Sequence, residues 1–101
     1  MKKKFRIEKD SIGNKKIENS CLWGAQTQRS LENFDIGREK MPNEIIVAIG
    51  YQKKAAAMTN IELGKLDGKI GNAIIAACNQ IINSNLNNQF PLSVWQTGSG
   101  T

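Results

Sequence analysis

Apolar and polar positions alternate with two different periods along the chain, and the change of period marks its predicted elements. Residues 5–9 alternate between apolar and polar side chains, as a short half-buried strand does. Residues 12–15 contain a Gly-Asn pair and are a turn signal, after which Lys16-Ile17 can return as a second strand. The start of the chain is therefore predicted to form a β-hairpin or an extended arm.

The centre of the chain has the helical period twice. Pro42 and Glu44 suit the first turn of one helix, Gly64 can end it, and Asp67 can cap the next. The apolar positions on one face of the first helix are Ile45, Ile49, Ala56 and Leu63. The apolar stripe of the second helix consists of Ile70, Ile74, Ala77, Cys78, Ile81 and Ile82. Because the connection 65–68 is short, the two helices are predicted to pack as an antiparallel pair.

The asparagine-rich residues 83–89 are predicted to end the second helix in a polar loop. The predicted fold class is therefore mainly α, with a short N-terminal β-hairpin or extended arm, an antiparallel helix pair and a polar loop. No linker or repeat divides the sequence, so residues 1–101 are assigned to one domain. Residues 97–101 are polar and rich in glycine, like a loop that connects two elements, and we expect the chain to be a piece of a longer protein.

The net charge of +5 resides in residues 1–16, and the rest of the chain is neutral. A short basic segment can bind nucleic acid or another anionic surface. No arginine cluster or interleaved aromatic residue follows this one, so a solvated terminus is the preferred interpretation. A small anion- or nucleic-acid-binding module is the alternative, and a helical module without a ligand is a third interpretation.

The residue types that are absent exclude several kinds of chemistry. The chain has no histidine, the commonest general base and metal ligand, and no paired carboxylates take its place. Cys21 and Cys78 lack the spacing of metal ligands. The sequence has no apolar run of membrane-spanning length and no secretory signal. We therefore predict a cytoplasmic protein with reduced thiols, no metal, no membrane or nucleic-acid partner, and an incomplete set of catalytic groups.

Residues 97–101, with the sequence Thr-Gly-Ser-Gly-Thr, carry the sharpest candidate chemistry. Glycines let the backbone approach a ligand, consecutive N–H groups can converge on an anion, and hydroxyls add uncharged donors. The alternative is a flexible terminus or a plain turn. Trp95, just before this segment, is expected in the core or lining a pocket.

Residues 19–34 have no regular period and are predicted to form an irregular, hydrogen-bonding surface. Within them, Arg29 can pair bidentately with a carboxylate, with Gln26 and Gln28 to orient it. The alternative is a structural hydrogen-bond network that holds the segment together.

Two long motifs resemble signatures of class II fumarases. They are Trp-Gly-Ala-Gln-Thr-Gln-Arg-Ser-Leu-Glu-Asn-Phe at 23–34 and Phe-Pro-Leu-Ser-Val-Trp-Gln-Thr-Gly-Ser-Gly-Thr at 90–101. Residues 53–57 and 72–76 are also similar to that family, so the resemblance covers nearly the whole chain. Aspartate ammonia-lyases of the same superfamily are the nearest alternative, but they have Tyr-Gly-Val-His-Thr and Gly-Gly-Ala-Gly-Thr at the corresponding places.

The resemblance implies an N-terminal domain of a fumarate hydratase, an enzyme that reversibly hydrates fumarate to (S)-malate in the citric acid cycle without a metal or organic cofactor. It implies that Ser99, Gly100 and Thr101 contact the substrate and that Arg29 gives structural support. The family's catalytic groups come from later segments, and its active sites are assembled from several subunits of a homotetramer. No catalytic residue is therefore assigned here, and the isolated chain is expected to be inactive and to self-associate.

Overall fold

The structure is a computed structural model that describes residues 3–83 and 86–95. Its elements are β1 (Phe5–Lys9), β2 (Asn14–Glu18), α1 (Ala25–Asn33), α2 (Asn43–Glu62), α3 (Gly68–Asn83) and a short 3₁₀ helix at Asn87–Gln89. The predicted fold class, mainly helical with a short antiparallel hairpin, is confirmed. The chain divides into two compact units, one of residues 1–41 and 88–101 and the other of residues 42–87.

Strands β1 and β2 form an antiparallel hairpin in which Arg6 lies opposite Ile17. The apolar side chains of β1 face solvent, since Phe5 is 46% and Ile7 62% exposed. The alternation in residues 5–9 therefore predicts the strand correctly, although Arg6 and Glu8 are less exposed than Phe5 and Ile7. Ile17 is only 1% exposed because α1 packs against β2, and it supplies the hairpin's part of the core.

Arg6 connects the hairpin to the segment that precedes α1. Its guanidinium donates to three backbone carbonyl oxygens, those of Glu18 at 3.2 Å, Cys21 at 2.8 Å and Trp23 at 2.7 Å. Carbonyls outside a helix or sheet need such donors when water is restricted. One side chain thus fixes an irregular stretch of backbone.

The expectation of an irregular segment over residues 19–34 is wrong for Ala25–Asn33, which form α1. The helix is rich in Gln, Arg, Leu and Glu, which favour helical backbone. Gly24 precedes it in an extended conformation and gives no side-chain cap. Ala25 is 6% exposed, so packing against the hairpin stabilises a helix that is too short to show a clear period.

Helices α2 and α3 form an antiparallel pair, as predicted. Gly50, early in α2, lies against Ile81 and Ile82 near the end of α3, while Ile61, late in α2, lies against Gly71. Gly64 stops α2 in the left-handed conformation at φ 71°. Asp67 begins α3, where its Oδ2 accepts the N–H of Ile70 at 3.4 Å and its carbonyl accepts that of Gly71 at 2.8 Å.

The faces through which these helices pack differ from the predicted stripes. On α2 the predicted positions Ile45, Ile49 and Leu63 are 46%, 47% and 62% exposed, and Ala56 is exposed as well. The buried positions of α2 are Gly50 and Ala57 instead. On α3 the predicted Cys78 is buried and Ile81 and Ile82 are half-buried, but Ile70, Ile74 and Ala77 are exposed.

A small residue at 71 allows the two helices to approach each other closely. A Cβ built on Gly71 would lie 2.6 Å from Cγ1 of Ile61 and 3.2 Å from Cδ2 of Leu66. Those separations are well inside van der Waals contact, so a larger side chain would displace Ile61 and disturb the packing of α2 against α3. Among the helices that the structure describes, none has the length and apolar character needed to cross a membrane.

Candidate functional site

The predicted substrate-contacting residues Ser99, Gly100 and Thr101 lie outside the described residues. The structure does describe the segment that leads to them, residues 91–95, and the surroundings of that segment. It also describes the whole of 23–29, the second candidate segment.

Arg29 pairs with a carboxylate of the chain itself. Its Nε donates to Oδ2 of Asp10 at 2.8 Å and its Nη2 to Oδ1 at 3.0 Å, a bidentate pair of the stronger kind. The Asp10 side chain is 9% exposed, and Gln26 Nε2 also donates to it at 2.8 Å. Of the two interpretations of this segment, the structural network is the one that the geometry supports.

This environment lowers the pKa of Asp10 to about 2, chiefly because Arg29 donates to the carboxylate. Burial opposes that shift, while the backbone N–H groups of Ile12 and Gly13 add to it. The same pairing raises the pKa of Arg29 above its ordinary value. Both groups are therefore charged at neutral pH, and they fix the hairpin turn to α1.

A second chain of contacts crosses the same helix. Trp23 Nε1 donates to Gln28 Oε1 at 2.8 Å, and Gln28 Nε2 donates to Glu32 Oε2 at 3.0 Å. Lys15 on β2 pairs with the other oxygen of Glu32. The Lys15 ammonium, followed by the Gln28 amide, lowers the pKa of Glu32. Gln28 and Glu32 are thus occupied within the fold.

The segment before the candidate loop is bound to residues 36–40. Lys40 and Ser93 form an antiparallel bridge, and the Val94 N–H donates to the Glu39 carbonyl at 2.8 Å. The Ser93 hydroxyl donates to the Ile36 carbonyl at 2.8 Å, and Lys40 Nζ donates to the Pro91 carbonyl. These contacts join parts of the chain more than fifty residues apart.

Trp95 is 57% exposed, so the expectation that it belongs to the core is wrong. Its indole lies against Gly37 and Glu39 instead. Sequence reasoning did not single out Gly37, Glu39 or Lys40. The local sequence shows only a glycine between an apolar and a charged residue. The residues that they contact, in 91–95, lie far away in the sequence.

The described residues offer no assembled metal site. Across residues 3–83 and 86–95, no three His, Cys, Asp or Glu side chains gather as metal ligands would. Cys21 and Cys78 are free thiols, the first half-buried and the second buried.

Comparison with known proteins identifies the family. Residues 13–101 match the model of the family described as Lyase. The chain is 55% identical over 101 residues to a class II fumarate hydratase of Prochlorococcus marinus, covering 100% of this chain and 22% of that protein. It is 55% identical over 97 residues to a class II fumarate hydratase of Helicobacter pylori, covering 96% of this chain and 21% of that protein.

Solved structures agree with the sequence matches. Recombinant class II fumarase from Schistosoma mansoni superposes with a TM-score of 0.91 at 39% identity, covering 97% of this chain and 21% of that one. The native form of a fumarate lyase:delta crystallin from Brucella melitensis superposes with a TM-score of 0.86 at 38% identity, covering 96% of this chain and 23% of that one. The chain thus spans about a fifth of the length of its relatives. It belongs to the lyase family, as its resemblance to the class II fumarases of the aspartase/fumarase superfamily predicts.

Proposed function

We propose that this chain is the N-terminal domain of a fumarate hydratase, which reversibly hydrates fumarate to (S)-malate in the citric acid cycle. The observation that carries the proposal is the 55% identity to class II fumarate hydratases over the whole chain. A different chemistry on so similar a sequence would require different substrate-contacting residues. The alternative, an aspartate ammonia-lyase, has other residues in both signature motifs.

The part assigned to this chain is binding of a substrate carboxylate by Ser99, Gly100 and Thr101. Removal of a proton beside a carboxylate leaves extra negative charge on the carboxylate oxygens. Backbone N–H groups and hydroxyls stabilise that charge when they are fixed in place before the reaction. Neutral donors suit the task because they bind the charged intermediate without titrating near neutral pH.

The groups that move protons belong to other parts of the proposed enzyme. The chain has no histidine, and Asp10 and Glu32 are paired within the fold. We propose no catalytic residue within the chain and no metal or organic cofactor. The isolated chain is accordingly expected to convert no malate.

The proposed partners are fumarate and (S)-malate, together with further copies of the full-length enzyme in a homotetramer. Exposed apolar side chains on α2 and α3 support self-association. Nucleic acid and membranes are not proposed as partners. The basic N-terminus supports this, because Arg6 and Lys15 are engaged by Glu8 and Glu32 and Lys16 lies over the Phe5 ring. The free thiols are consistent with a cytoplasmic location.

The proposal is tested in the full-length protein by changing Ser99 and Thr101 together to alanine. Each lost hydrogen bond to a charged group is worth about 1.5–3 kcal/mol, so kcat/KM for fumarate should fall about 10²-fold or more. Fumarate formation and consumption are followed by ultraviolet absorbance, with the isolated chain assayed alongside.

A matched control changes two exposed hydroxyl residues away from the loop, Ser20→Ala with Thr59→Ala. This variant should keep the kcat/KM of the unmodified enzyme. Retention of full fumarate turnover by the Ser99/Thr101 variant would refute the assignment of this loop to the substrate.

A further inference from the structure

Gly37 and Trp95 are in close contact immediately before the candidate loop. Gly37 has φ 71°, in the left-handed region that favours glycine. A Cβ built on it would lie 2.6 Å from Cδ1 and 2.8 Å from Nε1 of the Trp95 indole. Both the backbone conformation and the space therefore require glycine at 37 if Trp95 is to keep its position.

Glu39 fixes the same indole from its polar edge. Trp95 Nε1 donates to Glu39 Oε2 at 3.3 Å, and the Arg38 N–H donates to that oxygen at 3.1 Å. The backbone N–H groups of Glu39 and Arg38, and then the indole, lower the pKa of Glu39. The carboxylate is consequently an acceptor throughout the neutral range.

Ser93 completes the arrangement on the backbone side. Its hydroxyl donates to the Ile36 carbonyl at 2.8 Å and accepts the N–H of Trp95 at 3.0 Å. Together with the Lys40–Ser93 bridge and the bond from Val94 to Glu39, residues 93–95 are held at each position. We call residues 36–40 with residues 93–95 the anchor.

From this geometry we infer that the anchor positions the substrate-binding segment, with Gly37, Glu39 and Ser93 as positioning residues for fumarate hydration. The inference rests on the proposed function of Ser99, Gly100 and Thr101. Trp95 is only four residues before Ser99 in the sequence. Each residue spans at most about 3.6 Å of extended chain, so no more than about 14 Å of chain separates Ser99 from the anchor.

The exposure of the anchor distinguishes positioning from ordinary stabilisation. Trp95, Glu39 and Gly37 are all exposed, and hydrogen bonds at exposed sites contribute little to the free energy of folding. The anchor buries little surface but fixes the backbone at three successive residues. Its main effect is therefore on the position of residues 93–95 and not on stability. A displacement of about 1 Å at a substrate contact can cost about 10²-fold in rate.

The test uses the full-length enzyme with Gly37→Ala, Glu39→Ala and Ser93→Ala. Each should lower kcat/KM for fumarate about 10- to 100-fold. Glu39→Ala and Ser93→Ala should keep a thermal midpoint close to that of the unmodified enzyme. Glu39→Gln should keep a kcat/KM close to that of the unmodified enzyme, because its amide oxygen still accepts a hydrogen bond from Trp95. Ser20→Ala and Glu8→Ala are matched controls, since they remove similar contacts of exposed or half-exposed side chains in the same unit.

A double-mutant comparison separates positioning from independent structural damage. If Glu39 acts through the loop, Glu39→Ala in a Thr101→Ala background should cost a further factor of no more than about two. An equal loss in both backgrounds would show that Glu39 acts elsewhere, and so would equal losses for Glu39→Ala and Glu39→Gln. Unchanged kcat/KM in all three anchor variants would also overturn the inference.

The two proposals fail in different ways. If changing Ser99 and Thr101 leaves turnover intact, the substrate assignment falls and the inference falls with it. If that change reduces turnover while the anchor variants behave like the Ser20 and Glu8 controls, only the inference is refuted.

Discussion

Asp10 shows, at the scale of the residue, how one side chain can join elements that are distant in sequence. It accepts hydrogen bonds from Arg29, Gln26 and the N–H groups of its own turn. The Arg29 side chain was expected to bind either a carboxylate ligand or a structural partner. Asp10 lies nineteen residues before it, and no local pattern in the sequence identifies that pairing.

The charge of Asp10 should make stability depend on pH. Its pKa in the folded chain is about 2 against an ordinary value of 3.8. A carboxylate with a lowered pKa stabilises the fold at pH values above its unfolded-state pKa. This contribution is lost as the pH falls through its folded-state pKa. Asp10→Asn should therefore destabilise the chain at neutral pH, with the difference from the unmodified chain shrinking between about pH 4 and pH 2.

Urea unfolding at a series of pH values measures this effect. Asp35→Asn is the matched control, because Asp35 is also an aspartate of the same unit but is exposed. A difference between Asp10→Asn and the unmodified chain that stayed constant down to pH 2 would contradict the prediction.

At the scale of the element, terminal signals in the sequence were more informative than the apolar period. Pro42, Gly64 and Asp67 located both ends of α2 and the start of α3 correctly, because caps and stops depend on local backbone chemistry. The packing faces were harder to predict. Apolar residues occur around most of α2, so a period cannot select the face that Gly50 and Ala57 bury. The close approach at Gly50 and Gly71 brings Ile61, Ile81 and Ile82 into the contact. Ile45, Ile49 and Ile70 stay exposed.

Gly71 offers a sharp test of that packing. In an exposed helix, glycine to alanine stabilises by about 1 kcal/mol, but a Cβ here would lie 2.6 Å from Cγ1 of Ile61. Overpacking costs about 1–3 kcal/mol and should exceed the gain. Gly71→Ala should then lower the free energy of unfolding, as measured by chemical denaturation.

Gly68→Ala is the comparison, since it lies in the same helix with no atom within 4 Å of its built Cβ. It should leave stability unchanged or raise it by up to about 1 kcal/mol. If Gly71→Ala were as stable as Gly68→Ala, the close approach of α2 and α3 would not control the packing.

At the scale of the whole molecule, the chain spans about a fifth of its relatives and leaves many apolar side chains exposed. Ile49 and Ile74 are large examples on α2 and α3, at 47% and 38% exposure. The candidate loop, residues 97–101, is supported by sequence resemblance. The apolar surface, by contrast, has a direct physical consequence for the isolated chain.

The isolated chain should self-associate through this surface, and Ile49→Lys with Ile74→Lys should shift it towards the monomer. Burying a charged side chain in an apolar contact is unfavourable, while the exposed positions remain compatible with the fold. Sedimentation equilibrium measures the change. Ala55→Lys with Gln80→Lys adds the same side chains at other exposed positions of both helices, and it should leave the association unchanged.

The guanidinium of Arg6 has a consequence for the order in which the chain folds. A two-stranded hairpin is marginally stable in water on its own, and here Arg6 of its first strand donates to the carbonyls of Cys21 and Trp23, which lie beyond its second strand. The hairpin and the segment that joins it to α1 therefore depend on each other for their hydrogen bonds. The first thirty or so residues should consequently gain their structure in a single cooperative step, with no long-lived state in which the strands are paired and the helix is absent.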